Sequence, residues 1–269
     1  MTKPKQYRRY NRRELKGSIY LGDALKFLKS LPSDSAEIVF LDPPFNLGKT
    51  YSVDAPHLDR MPEEAYQEWM VTILQESRRV LAPGGALYLY HVPAWAMRLG
   101  AYLREHLEFR HWIAISMKNG FVRGDRLYPA HYGLLYYTKG KPTTFTRPKL
   151  DPVTCRHCGD YIKDYGGYTA IIEEKGLNLS DVWEDLSPVR HKNTKHRSAN
   201  ELPLELTRRI VAISGSPGGL FVEPFAGTGS GIVAAAARGM RFKACDIVEE
   251  NCKIMCERLV ASNNPATIG

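Results

Sequence analysis

Residues 220–247 read LFVEPFAGTGSGIVAAAARGMRFKACDI, and few backbone arrangements accept that order. LFVE suits a buried strand, and the glycines at 227, 229 and 231 interrupt it. The alanine run at 234–237 favours a helix, and RFKACDI returns to strand. Strand, tight turn, helix and strand make a βαβ unit. Its two strands lie parallel in one sheet, and the helix crosses one face.

The rest of the 269-residue chain continues the alternation. GSIYLG predicts a strand, followed by a helix opening near Asp23, then the strand IVFL. Pro62 opens a helix that Gly84-Gly85 is expected to end. ALYLYHV, HWIAISMK and YGLLYYTKG read as further strands, with a helix over 94–107. From 141 to 195 the periodicity dissolves into Pro, Gly, charges and short aromatic stretches, and a helix near 203–214 precedes the βαβ unit. The expected fold class is α/β: a Rossmann-like three-layer sandwich around a mostly parallel twisted sheet, with a small irregular insert. The chain divides into an arm (1–16), a first core half (17–140), the insert (141–195) and a second core half (196–269).

Two strand ends carry chemistry. IVFL runs into Asp42-Pro43-Pro44-Phe45. Neither proline can donate a ladder hydrogen bond, so the strand stops at Asp42 and a stiff turn follows. In the second half, Gly227 and Gly229 allow close backbone approach to a ligand, and Thr228 and Ser230 lie among them. A helix N-terminus follows, and Asp246 at the next strand end can accept ribose hydroxyls. No Gly-Lys-Ser/Thr makes this a P-loop, and the glycine spacing is not G-x-G-x-x-G. A ligand with a ribose but no pyrophosphate fits best.

Charge is unevenly placed. Lys3, Lys5, Arg8, Arg9, Arg12, Arg13 and Lys16 face Glu14 alone, a net of +6 out of the chain's +8, which leaves +2 for the remainder. An acid-free stretch, 186–200, holds Arg190, Lys192, Lys195 and Arg197. Two basic segments on a nearly neutral body fit phosphate contacts at separate points of a nucleic acid, although each alone also reads as a solvated segment. No apolar run approaches the ~18–20 residues a bilayer span needs. The N-terminus lacks the apolar stretch of a secretory signal. Five cysteines, an odd number, argue for a reducing compartment. The chain is expected to be cytoplasmic, nucleoid-associated in a prokaryote or encoded by a phage.

Taken together, GDALKFLKSLPSDSAEIVFLDPPFN, NLSDVWEDL and PFAGTGSG resemble the β-type DNA amino-methyltransferases, from about Gly17 to Leu259. In that type the acid-Pro-Pro-aromatic motif comes first and the Phe-x-Gly-x-Gly motif last, a circular permutation of the methyltransferase core. Related enzymes acting on protein glutamine or on many RNAs place the cofactor strand first, so the order argues against them. The resemblance implies S-adenosyl-L-methionine as cofactor and double-stranded DNA as substrate, with the insert as target recognition region. A cognate restriction endonuclease and a homodimer stay open.

The resemblance further implies that Asp42 and the Pro43 carbonyl accept the two N–H bonds of an exocyclic amine, that Pro44 stiffens the turn, and that Phe45 stacks on a flipped base. Asp23, Asn200, Phe225 and Asp246 would surround the cofactor with the glycine turn. Asp23 reads equally well as a helix N-cap, and Leu202 stands where many relatives have Lys. Asp at the first motif position tilts the target toward adenine N6, with cytosine N4 and a catalytically idle DNA-binding module as alternatives. RNA or a small amine as acceptor is a third. In the insert, Cys155 and Cys158 with His191 and His196 read either as unrelated thiols and phosphate-facing histidines, the preferred reading with no metal, or as a tetrahedral zinc site.

Overall fold

The computed structural model describes residues 3–12, 15–47, 60–116, 125, 127, 129–155, 157–161, 166–186 and 201–262. Arg13, Arg190, His191, Lys192, Lys195, His196, Arg197 and Asn200 lie outside them. The described strands are β1 (Lys5–Asn11), β2 (Lys16–Leu21), β3 (Ala36–Leu41), β4 (Leu81–His91), β5 (Glu108–Ser116), β6 (His131–Thr138), β7 (Lys149–Leu150), β8 (Leu177–Asn178), β9 (Val182–Trp183), β10 (Leu220–Glu223) and β11 (Arg241–Asp246). The helices are α1 (Ala24–Ser30), α2 (Glu63–Val80), α3 (Pro93–Arg104), α4 (Thr169–Lys175), α5 (Leu204–Ser214), α6 (Ser230–Ala237) and α7 (Glu249–Ser262).

Nine strands form one sheet in the order β1-β2-β11-β10-β3-β4-β6-β5-β9, and β7 and β8 pair separately. The five from β2 to β4 are mutually parallel, whereas β6 is antiparallel to both its neighbours. Alternate residues of each strand face opposite cores. Ile38 and Phe40 of β3 pack with Leu206, Ile232 and Met255 of α5, α6 and α7. Val39 and Leu41 pack with Phe27, Met70 and Leu99 of α1, α2 and α3. Helices on both faces of a largely parallel sheet make the expected three-layer sandwich.

The chain winds outward in two directions from one place. From β3 it crosses through α2 to β4, and from β10 it crosses through α6 to β11 on the other side. Because β3 and β10 are adjacent, their carboxyl ends border the crevice where ligands of doubly wound sheets bind. Asp42 follows one end and Glu223 closes the other.

Three local expectations change. Helix α2 ends at Val80, and Gly84 and Gly85 lie inside β4. Gly84 takes φ +76°, and the β3–β4 register slips between Ala36 and Ile38, so the glycines admit an irregular turn of the strand and do not stop the helix. The arm is a strand: β1 pairs antiparallel with β2 as the sheet edge, burying part of Tyr7 and Tyr10 while Arg8, Arg9 and Arg12 stay exposed. The end of the insert joins the main sheet through β9, which places Trp183 in the core.

Glu37 secures the pairing at the end opposite the crevice. Its carboxylate accepts from the Ser216 backbone N–H at 3.0 Å, the Ser216 hydroxyl at 2.8 Å and the Thr144 hydroxyl at 2.7 Å. Hydrogen bonds to a charged group are the stronger kind. Glu37→Ala is expected to lower unfolding free energy by about 2 kcal/mol in urea titration; an unchanged midpoint would refute this role.

Candidate active site

The site is assembled at four strand ends. Asp42 emerges after β3, where the two prolines prevent further pairing, and it is partly buried. Phe45 does not lie open: it is 5% exposed, with ring centroids 5.9 Å from Tyr90, 4.8 Å from His91 and 5.5 Å from Tyr132. Tyr90 and Tyr132 also meet each other at 5.0 Å. Burial first, and then the negative charge of Asp42, pushes the hydroxyls of both tyrosines to higher pKa. Asp42 therefore borders a wall of aromatic rings and phenol hydroxyls.

Opposite stands Glu223, the last residue of β10, only 3% exposed. Burial raises its carboxyl well above the usual carboxylate range, and Asp42 and Asp246 raise it further, against Arg258. Among the described residues its Oε2 has no hydrogen-bond partner. A side chain at Gly231 would put its Cβ 2.5 Å from that oxygen, so the first turn of α6 must present glycine here.

The glycine turn reaches its shape by backbone conformations that suit glycine, φ +52° at Gly227 and +81° at Gly229. It is held from three sides. The Gly227 N–H donates to Asp246 Oδ2 at 2.8 Å. Arg258 of α7 donates to the Thr228 hydroxyl at 2.9 Å and carbonyl at 3.1 Å, while pairing with Glu201 at 3.1 Å. The Ser230 hydroxyl donates to the Leu202 carbonyl at 3.2 Å. Residues 201–202 thus lie against the turn, although Asn200 itself is outside the described residues.

Asp246 is more than a strand-end acid. Its Oδ1 accepts from the Val248 N–H and from Asn251 Nδ2, both at 2.9 Å, so one carboxylate joins the glycine turn to the start of α7. Asp23 caps α1, accepting from the Lys26 N–H at 2.9 Å. It lies beside Asp246 in space, because the Gly22 N–H donates to the Asp246 carbonyl. Phe225 is half-buried and meets Trp69 edge-on at 5.8 Å.

The structure therefore brings together Asp42, Phe45, Asp23, Phe225, Asp246 and the Gly227–Ser230 turn. Arg8, Arg9 and Arg12 lie elsewhere. β1 runs away from the crevice, from Lys5 opposite Leu21 to Asn11 opposite Lys16, so Arg12 is at the far end, about 20 Å along the strand. Cys155 and Cys158 sit in a tight turn, with the Gly159 N–H donating to the Cys155 carbonyl at 2.9 Å. Among the described residues no group of three or more His, Cys, Asp or Glu could hold a metal.

Sequence reading missed Glu223, Tyr90, Tyr132 and Arg258. Glu223 had a signal: like Asp42 it is an acid that ends an apolar strand just before proline. The tyrosines had none, since aromatic residues within strands read as core.

Taken as geometry, this is a doubly wound α/β domain with an acid-lined nucleoside crevice at its switch point. The chain belongs to the N6/N4 family of DNA methylases, whose sequence profile matches residues 36–257. It is 42% identical over 244 residues to the Type II methyltransferase M.BamHI of Bacillus amyloliquefaciens, covering 90% of this chain and 57% of that protein. The chain thus spans little more than half the length of that relative. Its fold superposes on the cytosine-N4-specific PvuII DNA methyltransferase with a TM-score of 0.68 at 15% identity, covering 99% of this chain and 91% of that one. It also superposes on the Thermus thermophilus protein TTHA0409, solved in complex with S-adenosyl-L-methionine. The TM-score is 0.61 at 20% identity, covering 92% and 96%. No helix among the described residues is long and apolar enough to cross a membrane.

The buried acid gives a pH test. Glu223 stays protonated in the folded state at pH values where the unfolded chain has already ionised it, so stability falls as pH rises from about 4.5 toward the raised folded value. Glu223→Gln escapes that loss. It is expected to unfold at higher urea than the parent at pH 8, with the gap closing toward pH 4.5; a gap independent of pH would disprove the assignment.

Proposed function

We propose that this protein transfers a methyl group from S-adenosyl-L-methionine to the exocyclic N6 amine of an adenine flipped out of double-stranded DNA. The observation that carries the reading is the junction of Asp42-Pro43-Pro44-Phe45 with the Gly227–Ser230 turn across the adjacent ends of β3 and β10. The cofactor suits the residues present. Its sulfonium and ammonium charges match a crevice bordered by Asp42 and Asp246, where among the described residues a buried Glu223 oxygen has no hydrogen-bond partner. Asp246 and Asp23 lie at the strand ends that would face its ribose and adenine, and Phe225 beside the glycine turn offers a ring surface.

When bound, S-adenosyl-L-methionine supplies an electrophilic methyl group. The protein's task is to make a poor nucleophile react, because the lone pair of an exocyclic amine is delocalised into its ring. Asp42 accepts one amine N–H and the Pro43 carbonyl the other, which turns the nitrogen lone pair out of the ring plane toward the methyl. Rigid prolines hold both acceptors in place, so that the amine nitrogen would stay within the about 3–3.5 Å of the methyl carbon that reaction requires. Phe45, Tyr90 and Tyr132 form the wall against which the flipped base rests, and the tyrosine hydroxyls stay protonated as donors beside Asp42. The Asp at the first motif position favours adenine over cytosine.

DNA is held by phosphate contacts from the basic residues. Arg190, Lys192, Lys195 and Arg197, which lie outside the described residues, are assigned to the duplex by their charge. Arg8 and Arg9 of β1 and Arg12 just after it are exposed and would meet phosphates away from the reacting base.

The test is transfer of labelled methyl to unmethylated genomic DNA, followed by digestion to nucleosides, with Asp42→Ala alongside. Label is expected in N6-methyladenine and absent from the variant. Label in N4-methylcytosine would keep the mechanism and replace the base; label in no nucleoside would end the DNA assignment.

A further inference from the structure

Behind the Asp42 turn lie two side chains that belong to neither motif. Tyr66 is on α2 and His91 closes β4, and both are fully buried. Tyr66 Oη lies 2.6 Å from the Pro44 carbonyl oxygen and 2.7 Å from His91 Nε2. His91 Nδ1 lies 2.8 Å from the backbone nitrogen of Val92.

The protons admit one assignment. A backbone N–H only donates, so His91 Nδ1 is unprotonated and accepts from Val92. A carbonyl only accepts, so the single Tyr66 proton goes to Pro44. Tyr66 then offers His91 only lone pairs, and His91 Nε2 must carry the ring proton. The chain runs from the Val92 N–H to His91 Nδ1, from the Nε2–H to Tyr66 Oη, and from the Tyr66 O–H to Pro44. A doubly protonated imidazole would set an N–H against the Val92 N–H. Burial acts in the same sense, lowering the His91 pKa to about 3.

The same imidazole lies against the Phe45 ring, centroids 4.8 Å apart and planes 32° apart. The next residue, Asn46, is also fixed: its Nδ2 donates to the Met61 carbonyl at 2.9 Å, and the Met61 N–H donates to its Oδ1 at 2.8 Å. Pro44, Phe45 and Asn46 are therefore each gripped by a different partner outside the turn. The residues left between that grip and β3 are Asp42 and Pro43, the two assigned to the amine.

We propose that Tyr66 and His91 are positioning residues for methyl transfer, a neutral hydrogen-bond relay that fixes the Pro44 carbonyl and, through it, the Pro43 carbonyl and the Phe45 ring. The proposal rests on the function assigned above. The relay carries no proton to or from the amine, since each of its protons is committed to a fixed acceptor.

Tyr66→Phe, His91→Phe, the double variant and His91→Gln test it in single-turnover methyl transfer with cofactor and DNA saturating. Tyr66→Phe is expected to slow transfer on the order of tenfold to a hundredfold, with dissociation constants for cofactor and DNA held within about twofold. His91→Phe should match it, and the double variant should lose no more than either single one, because both break one chain. His91→Gln, which returns an N–H donor toward Tyr66, should recover most of the rate. Nitrogen-15 NMR of the imidazole in the free wild-type protein is the readout independent of turnover, with the Nε2–H tautomer expected unchanged between pH 5 and 9. Wild-type transfer rates in Tyr66→Phe, losses that multiply in the double variant, an Nδ1–H tautomer, or a ring titrating near 6.5 would each overturn the relay. If wild-type protein methylates no base, the function assigned above fails, and the NMR signature alone then decides whether the relay exists.

Discussion

Strands β3 and β10 come from opposite halves of the chain and pair in parallel through Phe221 with Ile38 and Val222 with Val39. All four side chains are fully buried, so a slip of one residue would exchange the two cores and is strongly disfavoured. This register sets Asp42 and Glu223 at neighbouring strand ends. Glu37 reinforces it below, and the charge of Asp42 acts on Glu223 above. Had the strands been separated by another, the proline turn and the glycine turn would not share a crevice.

Placing acids together in a buried crevice is unfavourable for the fold alone. Glu223 is driven toward its protonated form by burial and by both Asp42 and Asp246, and the surroundings answer with fixed donors and with the Arg258 guanidinium. Asp246 is engaged by two backbone N–H groups and Asn251, and Arg258 reaches across from α7. Such a site favours a cationic ligand, which connects its electrostatics to the sulfonium cofactor. The aromatic wall on the other side of Asp42 is apolar except for its hydroxyls, which suits a planar base removed from water.

Much of this was legible in the chain. Two prolines after IVFL must end a strand, whatever surrounds them, because they lack the N–H a ladder needs. The glycines at 227 and 229 had to sit in a turn, and the order of the two motifs specified a permuted core. Local readings failed where tertiary contacts overrode a punctuation residue. Gly84 and Gly85 looked like a helix stop and instead lie in β4, and the basic arm, which showed no strand signal, pairs through its backbone with β2 while its arginines stay exposed.

What the sequence determined by itself was the set of elements and the two reactive turns, since periodicity, proline chemistry and glycine conformation act over a few residues. Only the tertiary structure decided which side chains surround them. That Tyr66 and His91 grip Pro44, that Tyr90 and Tyr132 wall in Asp42, and that Glu223 is a buried acid follow from contacts between α2, β4, β6 and β10. Those contacts join residues tens to hundreds of positions apart. An aromatic residue in an apolar strand carries the same local signal whether it fills the core or faces the reacting centre, so only the packed sheet separates the two.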